Sequence, residues 1–227
     1  MDVTTCTTAR RIATAGADLD GDLSVPEHAA GLVLFAHGSG SSRHSPRNRA
    51  VAEALNQRRL ATLLVDLLTG DEEQVDVRTR EHRFDIGLLA DRLVDIVDWL
   101  REQPDTAALP LGLFGASTGA AAALVAAAAR RDAVRAVVSR GGRPDLAGPA
   151  LAEVAAPTLL LVGERDPHIR ELNEQARTTM QVAAELRIIA TATHLFEEPG
   201  TLRQVADQAG QWFTDHLATP AASDDLR

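Results

Sequence analysis

The sequence predicts an α/β protein: a mostly parallel central sheet with helices on both faces. Three observations predict it. From residue 31 onward, strand-length apolar runs alternate with amphipathic or alanine-rich helical stretches. The runs are apolar throughout, as strands covered on both faces must be. The loops after them are rich in glycine and small polar residues, where such sheets carry their functional groups. Residues 1–217 read as a single domain and 218–227, small and polar, as a flexible tail.

Each element follows from local chemistry. Threonine-rich residues 3–8 favour extended backbone. Asp20-Gly21 reads as a hairpin turn; a calcium loop is rejected because its glycine is misplaced and no glutamate closes it. GLVLFA at 31–36 is a buried strand running into His37-Gly38-Ser39-Gly40-Ser41-Ser42. Pro46 opens a helix to about residue 59, its missing N–H harmless in the first turn. Residues 61–67 form a strand and the charged stretch 69–82 a loop. Leu88, Leu89, Leu93, Ile96, Val97 and Leu100 recur at helical spacing over 84–101, and Pro104 follows the end. Residues 109–129 read as strand, tight turn and helix, then 133–139 as strand, 145–153 as a short helix and 158–162 as strand. After a turn at 163–167, a helix spans about 168–180 and the last strand 186–190. A loop carrying His194 leads to a closing helix over 201–217, with Leu202, Val205, Ala209, Phe213 and Leu217 inward.

Composition removes whole classes of chemistry. The net charge of −9 argues against a nucleic-acid or anionic-membrane partner. All 23 basic residues are arginine, so no Walker, Schiff-base or kinase-type lysine exists. There is no tyrosine to serve as nucleophile or donor. The lone Cys6 has no partner for an internal disulfide, which fits a reducing cytoplasm. No apolar run approaches the ~18 residues of a membrane span, and the N-terminus lacks a signal core. H-E-x-x-H and C-x-x-C spacings are absent, so neither a metal nor another cofactor is expected.

The residues that carry chemistry lie in three loops. Gly115-Ala116-Ser117-Thr118-Gly119 matches the nucleophile elbow G-x-S-x-G, in the strand–turn–helix context the motif requires. The turn strains the serine backbone, and the positions two residues either side must be nearly free of side chain. Alanines at 120–123 and 126–129 let the following helix lie close to the sheet. The bland alternative is that Ser117 merely caps that helix. Further loops carry Asp166, in Gly163-Glu164-Arg165-Asp166-Pro167, and His194. The order Ser, acid, His is that of the α/β-hydrolases and of no other triad family. Ser117 would attack an acyl carbonyl, His194 would shuttle the proton, and Asp166 would orient the imidazole. Asp166 has the alternative of capping the next helix, and His168, Glu164 and Asp145 are weaker rivals for base and acid. His28, His82 and His216 fall outside the expected loops. The Thr118 N–H and the Ser39 N–H, with Gly40 as a weaker candidate, would hold the oxyanion. His37, at a strand end, reads as a shaper of the loop through hydrogen bonds. Arg43, Arg140 and Arg143, with Arg47 nearby, lie in loops around this site and would suit an anionic part of a substrate; pairing with Asp66, Asp71, Glu72 or Glu73 is the alternative.

On Gly115–Gly119, the His37-Gly38 loop, Asp166 and His194, the chain resembles the small, lidless α/β-hydrolases related to dienelactone hydrolase, over roughly residues 30–217. The resemblance implies the α/β-hydrolase fold without an inserted cap, residues 69–84 being the only connection long enough for a lid. It also implies an ester, lactone or thioester of a small molecule as substrate. Dienelactone hydrolases proper use cysteine where this chain has Ser117, which favours ordinary ester chemistry. Acyl transfer, lyase or cyclase chemistry and a silent binding module remain the other classes the fold hosts. A cytoplasmic monomer or homodimer completes the expectation.

Overall fold

The computed structural model describes residues 3–218. Its fifteen regular segments run β1 (Thr5–Ala13), β2 (Asp18–Pro26), β3 (Gly31–Ala36), α1 (Pro46–Gln57), β4 (Leu60–Val65), α2 (Gly70–Thr79), α3 (Ile86–Glu102), β5 (Leu111–Ala116), α4 (Thr118–Ala129) and β6 (Val134–Arg140). A kinked 3-10 segment (Pro144–Glu153), β7 (Thr158–Gly163), α5 (Pro167–Thr179), β8 (Ala184–Ile189) and α6 (Thr201–Leu217) complete the order. One eight-stranded sheet has the order β1-β2-β4-β3-β5-β6-β7-β8. β1 and β2 are antiparallel, β2 meets β4 antiparallel, and the rest is parallel. This is the α/β-hydrolase fold. The last residues of the expected tail, 219–227, lie outside the described residues.

The continuous apolar runs have the predicted cause. β3, β4, β5 and β7 are buried along their whole length. Alternate side chains serve opposite faces, as the two-residue strand period demands. Leu32, Leu34 and Ala36 join Leu93, Ile96 and the α4 alanines on one side. Val33 and Phe35 join Val51, Leu55, Trp212 and Phe213 on the other. The sheet therefore grips α3 and α4 with one face and α1 and α6 with the other, and leaves the carboxyl ends of its parallel strands open.

Two expectations are corrected. Asp20-Gly21 is not the hairpin turn: Gly21 lies inside β2, paired with Arg10 and Val65. The turn is at 14–17, closed by the Thr14 N–H and hydroxyl on the Ala17 carbonyl at 2.9 and 2.7 Å. Gly21 is a packing glycine, since a Cβ there would stand 3.0 Å from the Leu63 side chain. Residues 69–82 are not a loop either, because α2 occupies most of them. A reciprocal capping box starts it: Thr69 Oγ1 accepts from the Glu72 N–H and the Glu72 carboxylate from the Thr69 N–H. The one buried side chain of α2 is Asp76, whose carboxylate accepts the N–H groups of His82 and Arg83. A helix anchored by a carboxylate has no apolar stripe to betray it.

Candidate active site

The elbow is built by close approach. Ser117 sits at φ 51°, ψ −120°, in the left-handed half of backbone space that side chains disfavour. A Cβ on Gly115 would lie 2.4 Å from the Ala120 Cα, and one on Gly119 would lie 2.3 Å from the Ala36 carbonyl oxygen. The Ser117 N–H donates to the Arg140 carbonyl and its carbonyl accepts from the Arg143 N–H, so β6 and the loop beyond it pin the strained residue. Ser117 occupies the N-cap position of α4 yet makes no capping bond with its side chain. The hydroxyl is left free at the positive end of the helix.

Asp166 and His194 come together. His194 Nδ1 donates to Asp166 Oδ2 at 2.6 Å. Asp166, like Ser117, is an N-cap residue without a capping bond; its carboxylate serves the imidazole. The His194 loop is drawn against β7, where a Cβ on Gly163 would meet the Ala192 carbonyl oxygen at 2.5 Å. Glu164 accepts the Thr191 N–H, Glu198 accepts the Thr193 N–H, and buried Phe196 anchors the loop's far side. Ser117 and His194 line one cleft of about 210 Å³ with Gly38, Ser39, Ser41, Ser45, Arg47, Arg140 and Leu195. His168 is exposed in the first turn of α5 and is absent from that lining; Asp145 is taken up by Arg143.

The loop after β3 is held by a chain of hydrogen bonds that sequence reasoning saw only at its first residue. His37 is buried; its Nε2 accepts the Leu67 N–H at 3.0 Å and its Nδ1 donates to the Gly38 carbonyl at 3.0 Å. Burial pushes this imidazole below its ordinary pKa, which favours the neutral ring these bonds require. The Leu67 carbonyl in turn accepts from Arg92, and Arg92 forms a bidentate pair with Glu72. The Arg92 guanidinium holds the Glu72 carboxyl down to about 2. Of the two expected oxyanion donors, the Thr118 N–H opens α4 and has no acceptor within the helix. The Ser39 N–H donates to the Thr118 hydroxyl at 2.9 Å.

The arginines separate. Arg43 is paired with Asp66 and lies 3.7 Å from Asp22. Arg143 is bidentate on Asp145. Each has a carboxylate partner close in space, and neither residue lines the cleft. Arg140 is different: about nine-tenths buried, it has no carboxylate partner among the described residues, and its Nε and Nη1 lack any hydrogen-bond partner. Its guanidinium lies 5.9 Å from the Phe196 ring centroid. Burial and the neighbouring Arg47 push its pKa down to about 10. Arg47 pairs with Glu197 at 3.2 Å at the cleft rim. No helix among the described residues is long and apolar enough to cross a membrane, and no group of three His, Cys, Asp or Glu among them could hold a metal ion.

The fold and the Ser–His–Asp loops define an α/β-hydrolase, and residues 29–218 match the alpha/beta hydrolase domain family model. The chain belongs to the α/β-hydrolase family. Within it, the chain is similar to the dienelactone hydrolase of Anabaena variabilis ATCC 29413: 57% identity, TM-score 0.92, covering 94% of this chain and 99% of that one. Est1E from Butyrivibrio proteoclasticus shares the fold at 17% identity, with TM-score 0.77 over 93% of this chain and 99% of that one. A curated relative from Mycobacterium tuberculosis (strain H37Rv), bearing the name "putative phosphoribosyl transferase", is 61% identical over 203 residues, 89% of this chain. The chain spans about half the length of the curated relatives it matches, 45% of each.

Proposed function

We propose that the chain is a serine hydrolase that cleaves a carboxylic ester, lactone or thioester of a small molecule through an acyl-enzyme. One observation carries the reading: His194, bonded to Asp166 at 2.6 Å, shares a cleft with a serine whose strained elbow leaves its hydroxyl uncommitted. Ser117 Oγ attacks the acyl carbon as His194 takes its proton. The Thr118 N–H, helped from the Ser39 side, stabilises the oxyanion. The tetrahedral intermediate collapses, the C–O or C–S bond breaks, and His194 protonates the leaving group. Water, activated by the same imidazole, then attacks the acyl-enzyme and releases the acid and Ser117. Hydrolysis is favoured over transfer because His194 is 38% exposed, so water has access to the base. The name of the longer mycobacterial relatives points to phosphoribosyl transfer, but the match accounts for less than half of those proteins.

The test is labelling by a fluorophosphonate probe with a short-chain p-nitrophenyl ester assay alongside. Wild type is expected to label at Ser117 and to turn over the ester. An unlabelled wild type would mean that the serine is not activated, and the reading would fall.

The free guanidinium of Arg140 supports an anionic group on the substrate. Its pKa of about 10 keeps it charged at neutral pH. Arg140→Ala is expected to raise KM for carboxylate-bearing esters by about 10- to 100-fold, the worth of one charge-assisted hydrogen bond, and to leave neutral esters nearly unchanged. The anchor is refuted if the two ester classes respond alike.

A further inference from the structure

We propose that the second oxyanion donor is the Thr118 hydroxyl, with the Ser39 N–H acting behind it. The inference rests on the serine-hydrolase reading above and deepens it. The Ser39 backbone has one hydrogen to give, and it is given to Thr118 Oγ1 at 2.9 Å. An N–H so engaged does not stabilise an oxyanion directly unless that bond is broken. The oxygen receiving it keeps its own hydrogen, and no side-chain or backbone acceptor among the described residues takes that hydrogen. Thr118 immediately follows the nucleophile, so its hydroxyl and its N–H arise from the same residue at the mouth of α4.

Rotation is the alternative to relay. If the threonine turned its hydroxyl aside, the Ser39 N–H would be released to bind the oxyanion itself. Packing opposes that. Thr118 is 3% exposed, and a β-branched side chain is stiff at χ1; turning it exchanges methyl and hydroxyl within a filled site. A hydroxyl that accepts a hydrogen bond is also a better donor, because linked bonds polarise one another. The fixed arrangement is therefore N–H to hydroxyl to oxyanion, alongside the direct Thr118 N–H. The hydroxyl keeps its proton throughout; it only shares it with the developing charge.

Thr118→Val removes the hydroxyl, keeps the shape and frees the Ser39 N–H, so the two arrangements predict opposite results. With the relay, kcat for p-nitrophenyl acetate is expected to fall about 100-fold at unchanged KM, as for loss of one oxyanion donor. Affinity for an aryl trifluoromethyl ketone, whose hemiketal oxygen sits where the oxyanion forms, should fall by a similar factor. Thr118→Ser, which keeps the hydroxyl, should stay within about threefold of wild type. A Thr118→Val enzyme as fast as wild type, or faster, would overturn the relay and assign the second donor to a backbone N–H of the loop after β3, Ser39 or Gly40. So would loss of kcat without loss of ketone affinity. If the valine variant does not fold, Thr118→Ala is put through the same two assays, and the same outcomes decide. Wild-type labelling and turnover are measured first, so failure of the hydrolase reading is seen before any variant is made, and the relay would fall with it.

Discussion

Ser117→Ala and His194→Ala are each expected to lower kcat for ester hydrolysis by about 10⁵- to 10⁶-fold, and the double variant to lower it no further. The two groups act as one unit. Without the imidazole the serine keeps its proton; without the serine the imidazole has no nucleophile to activate. Asp166→Asn is expected to cost less, about 10⁴-fold, because the asparagine amide no longer holds the imidazole in the tautomer with hydrogen on Nδ1. The 2.6 Å bond from His194 Nδ1 to Asp166 Oδ2 is the contact that variant alters. Thermal unfolding separates chemistry from folding. His194 is half-exposed, and neither Ser117 nor Asp166 caps its helix, so all three variants should melt within a few degrees of wild type. Single and double variants that lose activity additively would mean that the residues do not work as a triad. So would an Asp166→Asn enzyme with full kcat.

What was legible in the sequence is what local physics dictates. Strands covered on both faces must be apolar throughout, and a serine on a strand-to-helix turn must be flanked by glycines. β3, β5, β7 and the elbow were therefore readable. The chain order of serine, acid and histidine was readable because the fold presents successive strand ends on one side of the sheet. What escaped depends on partners distant in sequence. α2 is anchored through Asp76 and Glu72, a carboxylate interior that mimics a solvated loop. Arg43 and Arg140 look alike in sequence; only folding brings Asp66 to the first and leaves the second bare. The bond from Ser39 to the Thr118 hydroxyl spans 79 residues and has no sequence signal. Gly21 was misread because glycine serves two purposes, positive φ and close packing, and a sequence does not say which.

Gly119→Ala separates those two uses at the elbow. The added Cβ would lie 2.3 Å from the Ala36 carbonyl oxygen and 2.4 Å from that of His37. Both obstacles are backbone atoms at the end of a buried central strand, so no side-chain rotation relieves them. Either α4 withdraws from β3 or the end of β3 bends, and both motions move Ser117 away from the loop that carries Ser39. Overpacking of this kind costs about 1–3 kcal/mol, a fall of about 2–12 °C in Tm for a chain of this size. Probe labelling of Ser117 should fall by at least tenfold even well below the new Tm, because the damage falls on the elbow itself. Gly16→Ala is the control: a Cβ there meets nothing within 4 Å, and the same substitution should leave Tm and labelling unchanged or raise Tm slightly. A Gly119→Ala protein with wild-type Tm and labelling would show that α4 tolerates a side chain against the oxyanion loop, and that closeness at Gly119 is not what sets the nucleophile.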